Sequence, residues 1–315
     1  MKKVVLLESL GIPQAELEAL QKPFAGEVEF AAYPRTADVE QLKSEVKDAD
    51  ALILANMPLP GEVIRAAERL QFIDVAFTGV DHVALDAARE RGVRVSNASG
   101  YSNEAVAELV IAMALSMLRN LRQVEDRART GGTKDGLVGG ELRGRTVGII
   151  GYGRIGSRTG ELMHAFGCHV LAQRRGEHQR VPEFVELVSQ EELLRRSDIV
   201  VLHCPLNDST RGMINAEKLA LMRPTALLIN VARGPVVDEA ALAEALREGR
   251  IGGACVDVFA QEPPLPADAP LLAAPHTLLT PHVAFATRES MRLRAGIVFD
   301  NLRAWLDGRQ ENAVL

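Results

Sequence analysis

The chain has 315 residues, 47% of them hydrophobic and 25% charged, with a formal net charge of -6, the composition of a soluble protein long enough for two domains. The acidic balance and the lack of any long lysine or arginine run argue against a nucleic-acid partner, because binding a phosphate backbone needs a cationic face. Cys168, Cys204 and Cys255 are too far apart for a disulfide framework or a zinc spacing, so no metal and a reducing cytoplasm are expected.

The opening Met1-Lys-Lys-Val-Val-Leu-Leu-Glu8 has too few apolar residues for a signal-peptide core and reads as a first strand at Val4 to Leu7. Further short apolar runs at Val28 to Phe30, Ala51 to Leu54, Phe72 to Ala76 and Val93 to Val95 each precede a turn or helix signal, which predicts a small open α/β domain. After Ser102 a helical pattern runs to Leu118. Glu108 interrupts its apolar stretch, and nothing in the chain reaches bilayer length, so no membrane partner is expected.

A polar, glycine-rich passage at Thr130 to Gly144 leads into a second series of strands: Thr146 to Ile150, Val170 to Ala172, Ile199 to Leu202, Ala226 to Ile229, Ala254 to Val256 and Thr277 to Leu279. The last segment, Ser290 to Asp307, carries Met291, Ala295, Val298, Phe299, Leu302, Trp305 and Leu306 near helical spacing and is expected to pack on the first domain. Strands alternating with helices from end to end predict an α/β fold of doubly wound parallel sheets.

Within the second series, Gly151-Tyr-Gly-Arg-Ile-Gly156 follows a strand directly and opens a helix expected at Ser157 to Phe166. That setting places backbone N–H groups and a helix N-terminus against a dinucleotide pyrophosphate. Gly151 permits the tight turn, Gly153 the approach of the phosphates, and Gly156 the packing of helix on strand. The next strand ends at Gln173-Arg174-Arg175, where an NAD site has a carboxylate for the ribose hydroxyls. Guanidinium groups suit a 2′-phosphate instead, so NADP(H) is favoured. If both arginines point to solvent and Gln173 meets the ribose, NAD(H) binds.

Three further segments place polar residues after apolar runs: Asn230-Val-Ala-Arg233, Val256-Asp257 on to Glu262, and Leu279-Thr-Pro-His282. Ligands collect at the carboxyl ends of strands in a doubly wound sheet, so Arg233, Asp257, Glu262 and His282 are candidates for one cleft. These types suit reduction of a 2-oxo acid: His282 supplies a proton to the carbonyl oxygen, Glu262 holds the imidazole and favours its charged form, and Arg233 clamps the carboxylate. Taken singly, each has a structural alternative as an ion pair, a solvated acid or a strand-end histidine. His203, which also ends a strand, is expected near the cofactor. The segment Asn56-Met57-Pro58-Leu59 reads as a partly apolar wall.

Ordered motifs give the chain a resemblance to the D-isomer-specific 2-hydroxyacid dehydrogenase family over nearly its whole length. They are Gly79-Val-Asp81, Gly100-Tyr-Ser-Asn-Glu104, the Leu142 to Gly156 passage, His203-Cys-Pro-Leu-Asn207 with Thr210, Asn230-Val-Ala-Arg-Gly234, Asp257 to Glu262 and Pro281-His282. The resemblance implies a discontinuous, flavodoxin-like substrate domain of residues 1–100 and 286–315, a Rossmann cofactor domain of residues 101–285, and a cleft between them. It implies the same roles for Arg233, Glu262 and His282. It also puts Arg154 and Ile155 on the pyrophosphate, Pro205 and Thr210 on the adenosine side, and Val231, Ala232, Arg233 and Asp257 at the nicotinamide. Asn56 and the Thr78-Gly79 backbone fall where family members hold a small 2-oxo or 2-hydroxy acid.

A homodimer through the hinge helix and the arm after it is implied as well, although Gly131-Gly-Thr-Lys134 lacks a tryptophan that many members have there. Arg174 aligns with the usual NAD-type aspartate and resembles the NADP-using glyoxylate and hydroxypyruvate reductases. Glu262 in place of glutamine argues against the formate dehydrogenases. The alternatives are an NAD(H)-preferring member and a non-catalytic nucleotide sensor of the same fold, which would bind cofactor without turnover.

Overall fold

Strands covered by helices on both faces have no polar side, and the segments Ala51–Leu54, Ile199–Leu202 and Leu227–Asn230 are buried at every position. The computed structural model describes residues 1–173, 181–262 and 264–315. The chain divides into two units, Met1–Ser102 with Ala286–Leu315, and Asn103–Phe285. Among the described residues no helix is long and apolar enough to cross a membrane.

In the first unit, strands β1 (Lys2–Leu6), β2 (Val28–Ala32), β3 (Ala51–Leu54), β4 (Phe72–Val75) and β5 (Arg94–Asn97) form a parallel sheet in the order β2-β1-β3-β4-β5. The order reverses direction between β1 and β3, which is the switch point of a flavodoxin-like sheet. The C-terminal helix Arg288–Leu306 closes this unit and starts with a reciprocal capping box between Thr287 and Ser290. Its Trp305 stacks on Phe72 with ring centroids 5.4 Å apart, and Phe299 packs between Phe24 and Phe30.

An ionisable side chain lies at the centre of that core. Asp74, in the middle of β4, is fully buried; its Oδ1 accepts from Asn301 Nδ2 at 3.0 Å while Oδ2 has no partner among the described residues. Burial pushes the carboxyl up to about 8. Its proton is therefore held in the folded state and lost from the unfolded chain near the ordinary carboxylate value. The stability it contributes is complete below pH ~4, falls as pH rises towards about 8, and is level above that. Asp74→Asn keeps the shape and the acceptor without the charge. Its unfolding free energy from urea titrations is expected to exceed that of the wild type increasingly between pH 5 and 8, by up to about 1.4 kcal/mol per pH unit; a gap that does not grow with pH contradicts this.

In the second unit, β6 (Thr146–Ile150), β7 (His169–Gln173), β8 (Val185–Leu187), β9 (Ile199–Leu202), β10 (Leu227–Asn230), β11 (Gly253–Val256) and β12 (Thr277–Leu279) form a parallel sheet in the order β12-β11-β10-β9-β6-β7-β8. The switch point here lies between β6 and β9. The helix Asn103–Leu118 belongs to this unit and packs against the helix Arg154–Ala165. Strand β8 is absent from the sequence-based expectation, since an edge strand of Val-Glu-Leu with only Val185 buried carries no readable pattern.

Candidate active site

At the switch point of the second sheet, the glycine loop leaves β6 and enters the helix Arg154–Ala165, three residues earlier than the sequence pattern suggests. Gly151 has φ +96°, and a Cβ there would stand 2.5 Å from the Cys204 backbone nitrogen on the neighbouring β9 loop. A Cβ at Gly156 would lie 2.3 Å from the Gly151 carbonyl oxygen, so helix and loop touch backbone to backbone. At Gly153, the N-cap, a Cβ would meet nothing within 4 Å. The cradle is thus open on the side where the first-turn N–H groups of Arg154, Ile155 and Gly156 have no carbonyl one turn back to reach. Open space, unpaired N–H groups and a helix N-terminus fit a pyrophosphate.

Strand β7 ends at Gln173, paired in register with Ile150 beside the glycine loop. Arg174 and Arg175 lie outside the described residues. On the other flank, Thr210 is buried and its Oγ1 donates to the Pro205 carbonyl at 2.7 Å, closing the turn that follows β9. Its hydroxyl shapes the Pro205 turn and is already engaged. His203 Nε2 lies 2.9 Å from Thr159 Oγ1 on the glycine-loop helix, and burial pushes this imidazole down to about 3. It pins the helix as a neutral ring.

The three remaining loops start level on neighbouring strands, with Asn230 opposite Val256 and Val256 opposite Leu279. Asn230 is 1% exposed; its Oδ1 accepts from Ala232 N–H at 3.1 Å and its Nδ2 donates to the Arg233 carbonyl at 3.1 Å. This brace turns the chain through Val231 and Ala232 and presents the half-buried Arg233, whose Nη1 donates to the Ala232 carbonyl at 2.9 Å.

Asp257 is fully buried, and its carboxylate is spent on the loop after β12. Oδ1 accepts from Thr280 Oγ1 at 2.5 Å and from Val283 N–H at 2.9 Å, while Oδ2 accepts from Ala284 N–H at 2.9 Å. The Asp257 carbonyl also accepts the His282 N–H at 2.7 Å. Held this way, His282 takes φ +55°, a left-handed conformation uncommon outside glycine, although histidine is among the side chains found there more often.

The imidazole of His282 is 14% exposed, packs edge-on to Phe285, and places Nδ1 2.9 Å from Glu262 Oε2. With Nδ1 against the carboxylate, Nε2 lies on the opposite side of the ring. The loop carrying Glu262 is held by Glu239, whose Oε1 accepts the Ala260 N–H at 2.5 Å. Sequence reasoning passed over Glu239, because it opens a helix far from Glu262 in the chain, and over Asn230 as a brace, although a polar residue ending an apolar strand is a readable signal.

In the first unit, Asn56 follows β3 and Thr78-Gly79 follows β4, both at the carboxyl edge. The Thr78 and Gly79 N–H groups donate to no backbone carbonyl among the described residues, and the Thr78 carbonyl is pinned by Asn97 Nδ2 at 2.8 Å. Of the segment read as a partly apolar wall, Met57 and Leu59 are each 1% exposed and belong to the core, which leaves Asn56 and the exposed Pro58 outward.

A family model described as D-isomer specific 2-hydroxyacid dehydrogenase, NAD binding domain, matches residues 111–284. A glyoxylate reductase of Thermofilum pendens is 38% identical over 285 residues, 88% of this chain and 84% of that protein. A hydroxypyruvate reductase of Blautia hydrogenotrophica is 33% identical over 322 aligned positions, 99% of each chain. Among solved structures, an acyclic imino acid reductase in complex with NADPH and D-Arg superimposes with a TM-score of 0.91 at 26% identity, covering 99% of this chain and 100% of that one.

Proposed function

The chain belongs to the D-isomer specific 2-hydroxyacid dehydrogenase family, oxidoreductases with a nicotinamide-binding domain, and from this premise we propose that it reduces a small 2-oxo acid of the glyoxylate or hydroxypyruvate type to the D-2-hydroxy acid with NADPH. The observation that carries this reading is the His282–Glu262 pair at 2.9 Å on loops level with the one that presents Arg233. The unit of residues 103–285 takes the cofactor, and the unit closed by the C-terminal helix takes the substrate through Asn56 and the Thr78-Gly79 backbone. We place the enzyme in the cytoplasm as a homodimer.

The nicotinamide, when bound, supplies the hydride for C2 of the substrate. Arg233 binds the substrate carboxylate and draws electron density from the adjoining carbonyl. As C2 is reduced, negative charge grows on the carbonyl oxygen, and His282 gives that oxygen the proton on Nε2. Glu262, on Nδ1, keeps the ring in the orientation that presents Nε2. The Gly151 to Gly156 loop holds the pyrophosphate by its N–H groups, with Arg154 and Ile155 in the first turn, and Pro205 borders the adenosine side. Val231 and Ala232 border the nicotinamide, and Asp257 acts there by fixing the His282 loop.

The preference for NADPH follows from chain continuity: Gln173 ends β7 level with the glycine loop, and the next residues in sequence are Arg174 and Arg175. Charge-assisted bonds to a 2′-phosphate favour NADPH over NADH by about 10-fold or more in kcat/KM. Arg174→Asp is expected to reverse that order; equal rates with both cofactors in the wild type and an unchanged mutant overturn it.

A further inference from the structure

The side chain of Glu262 is 47% exposed, and the segment that carries it has few bonds of its own. Val258 and Phe259 are buried, and the chain comes to the surface at Ala260, exposed together with Gln261 and Glu262. Among the described residues from Val258 to Leu265, no backbone N–H or carbonyl bonds to another backbone group. A span without turn or ladder bonds keeps its freedom except where a side chain or a close packing contact stops it.

Two contacts stop this one at the point where it leaves the core. Gly234 lies so close to the Phe259 carbonyl that no Cβ fits between them. Beside that contact, Oε1 of Glu239 accepts the Ala260 N–H at 2.5 Å, two residues before Glu262. An ionised acceptor makes this a charge-assisted bond, stronger than its neutral counterpart.

Glu239 can reach across because its neighbour does the capping. It is the first residue of the helix Glu239–Arg247, while Asp238 is the N-cap and accepts the Ala241 N–H at 3.0 Å. The helix buries Leu242 and Leu246 in the core of its unit, and the turn before it is tied by the Asp238 N–H to the Ile214 carbonyl at 3.0 Å. The carboxylate thus extends from a fixed base, at a helix end that favours its negative charge.

We propose that Glu239 is a positioning residue for the reaction: by holding the Ala260 N–H it fixes the segment that presents Glu262, and through Glu262 the imidazole of His282. The assignment rests on the 2-oxo acid reductase reading above. Because Glu239 acts through Glu262, its removal matters only while the Glu262 carboxylate is present.

Glu239→Ala is expected to lower kcat for 2-oxo acid reduction about 10-fold, with nucleotide affinity as in the wild type. Glu239→Gln keeps an acceptor oxygen and should recover most of that loss. In a Glu262→Ala background, removing Glu239 should cost less than about 2-fold, whereas a merely structural role would cost the same in both backgrounds. Hydrogen–deuterium exchange of the peptide spanning residues 256–262 reads the tether without turnover: it should be faster in Glu239→Ala and as in the wild type in Glu239→Gln. Unchanged exchange or unchanged kcat in Glu239→Ala, or equal losses in the two backgrounds, overturns the positioning role and leaves the reductase reading intact; a wild type that reduces no 2-oxo acid overturns both.

Discussion

Replacing His282 by alanine should lower kcat for 2-oxo acid reduction by about 10²- to 10⁴-fold, the usual worth of a positioned acid, with cofactor binding unchanged. Alanine also has to occupy the left-handed backbone at φ +55°, at a cost of about 1–2 kcal/mol. His282→Asn separates the two effects, because asparagine tolerates that conformation and cannot act as the acid. Equal losses in the two variants, with circular dichroism and nucleotide affinity as in the wild type, assign the effect to the missing proton donor. A variant that keeps more than about a tenth of the wild-type kcat removes His282 from the chemistry.

The second large effect is expected at a residue with no functional group. A Cβ on Gly234 would stand 1.9 Å from the Phe259 carbonyl carbon and 2.4 Å from the Ala260 nitrogen, all backbone atoms that cannot rotate away. Gly234 follows Arg233, and the 259–260 segment leads to Glu262. Gly234→Ala must therefore push apart the two loops that carry Arg233 and Glu262. A displacement of about 1 Å at a reacting centre costs on the order of 10²-fold in rate, and overpacking of this kind destabilises by about 1–3 kcal/mol. Both a lowered urea midpoint and a lowered kcat/KM are expected; wild-type values for either show that the contact relaxes without consequence.

These effects differ in how far the sequence announces them. Parallel strands buried on both faces read as apolar runs, so Ala51–Leu54, Ile199–Leu202 and Leu227–Asn230 were legible to within a residue or so. The glycine loop was legible because its three glycines sit between a strand and a helix. The polar candidates after β10, β11 and β12 were legible by the same rule, and the sheet starts their loops level on neighbouring strands.

What the sequence hid depends on partners distant in the chain. Asp257 read as a cofactor residue, yet its carboxylate holds the 280–284 turn and thereby the backbone of His282. Nothing local marks Gly234 as the point where another loop passes, nor Asp74 as a buried acid whose partner, Asn301, lies 227 residues away. That Met57 and Leu59 turn inward while Asn56 and Pro58 stay outward was hidden as well, because composition does not say which side chains of a loop face the core.

The central claim is the reaction itself, and the direct measurement is the absorbance of NADPH mixed with purified protein and hydroxypyruvate or glyoxylate, followed by chiral assay of the product. The account predicts one NADPH consumed per 2-oxo acid reduced, with hydroxypyruvate yielding the D-hydroxy acid. Silence with NADPH and NADH across glyoxylate, hydroxypyruvate, pyruvate and branched 2-oxo acids, or an L product, would contradict it.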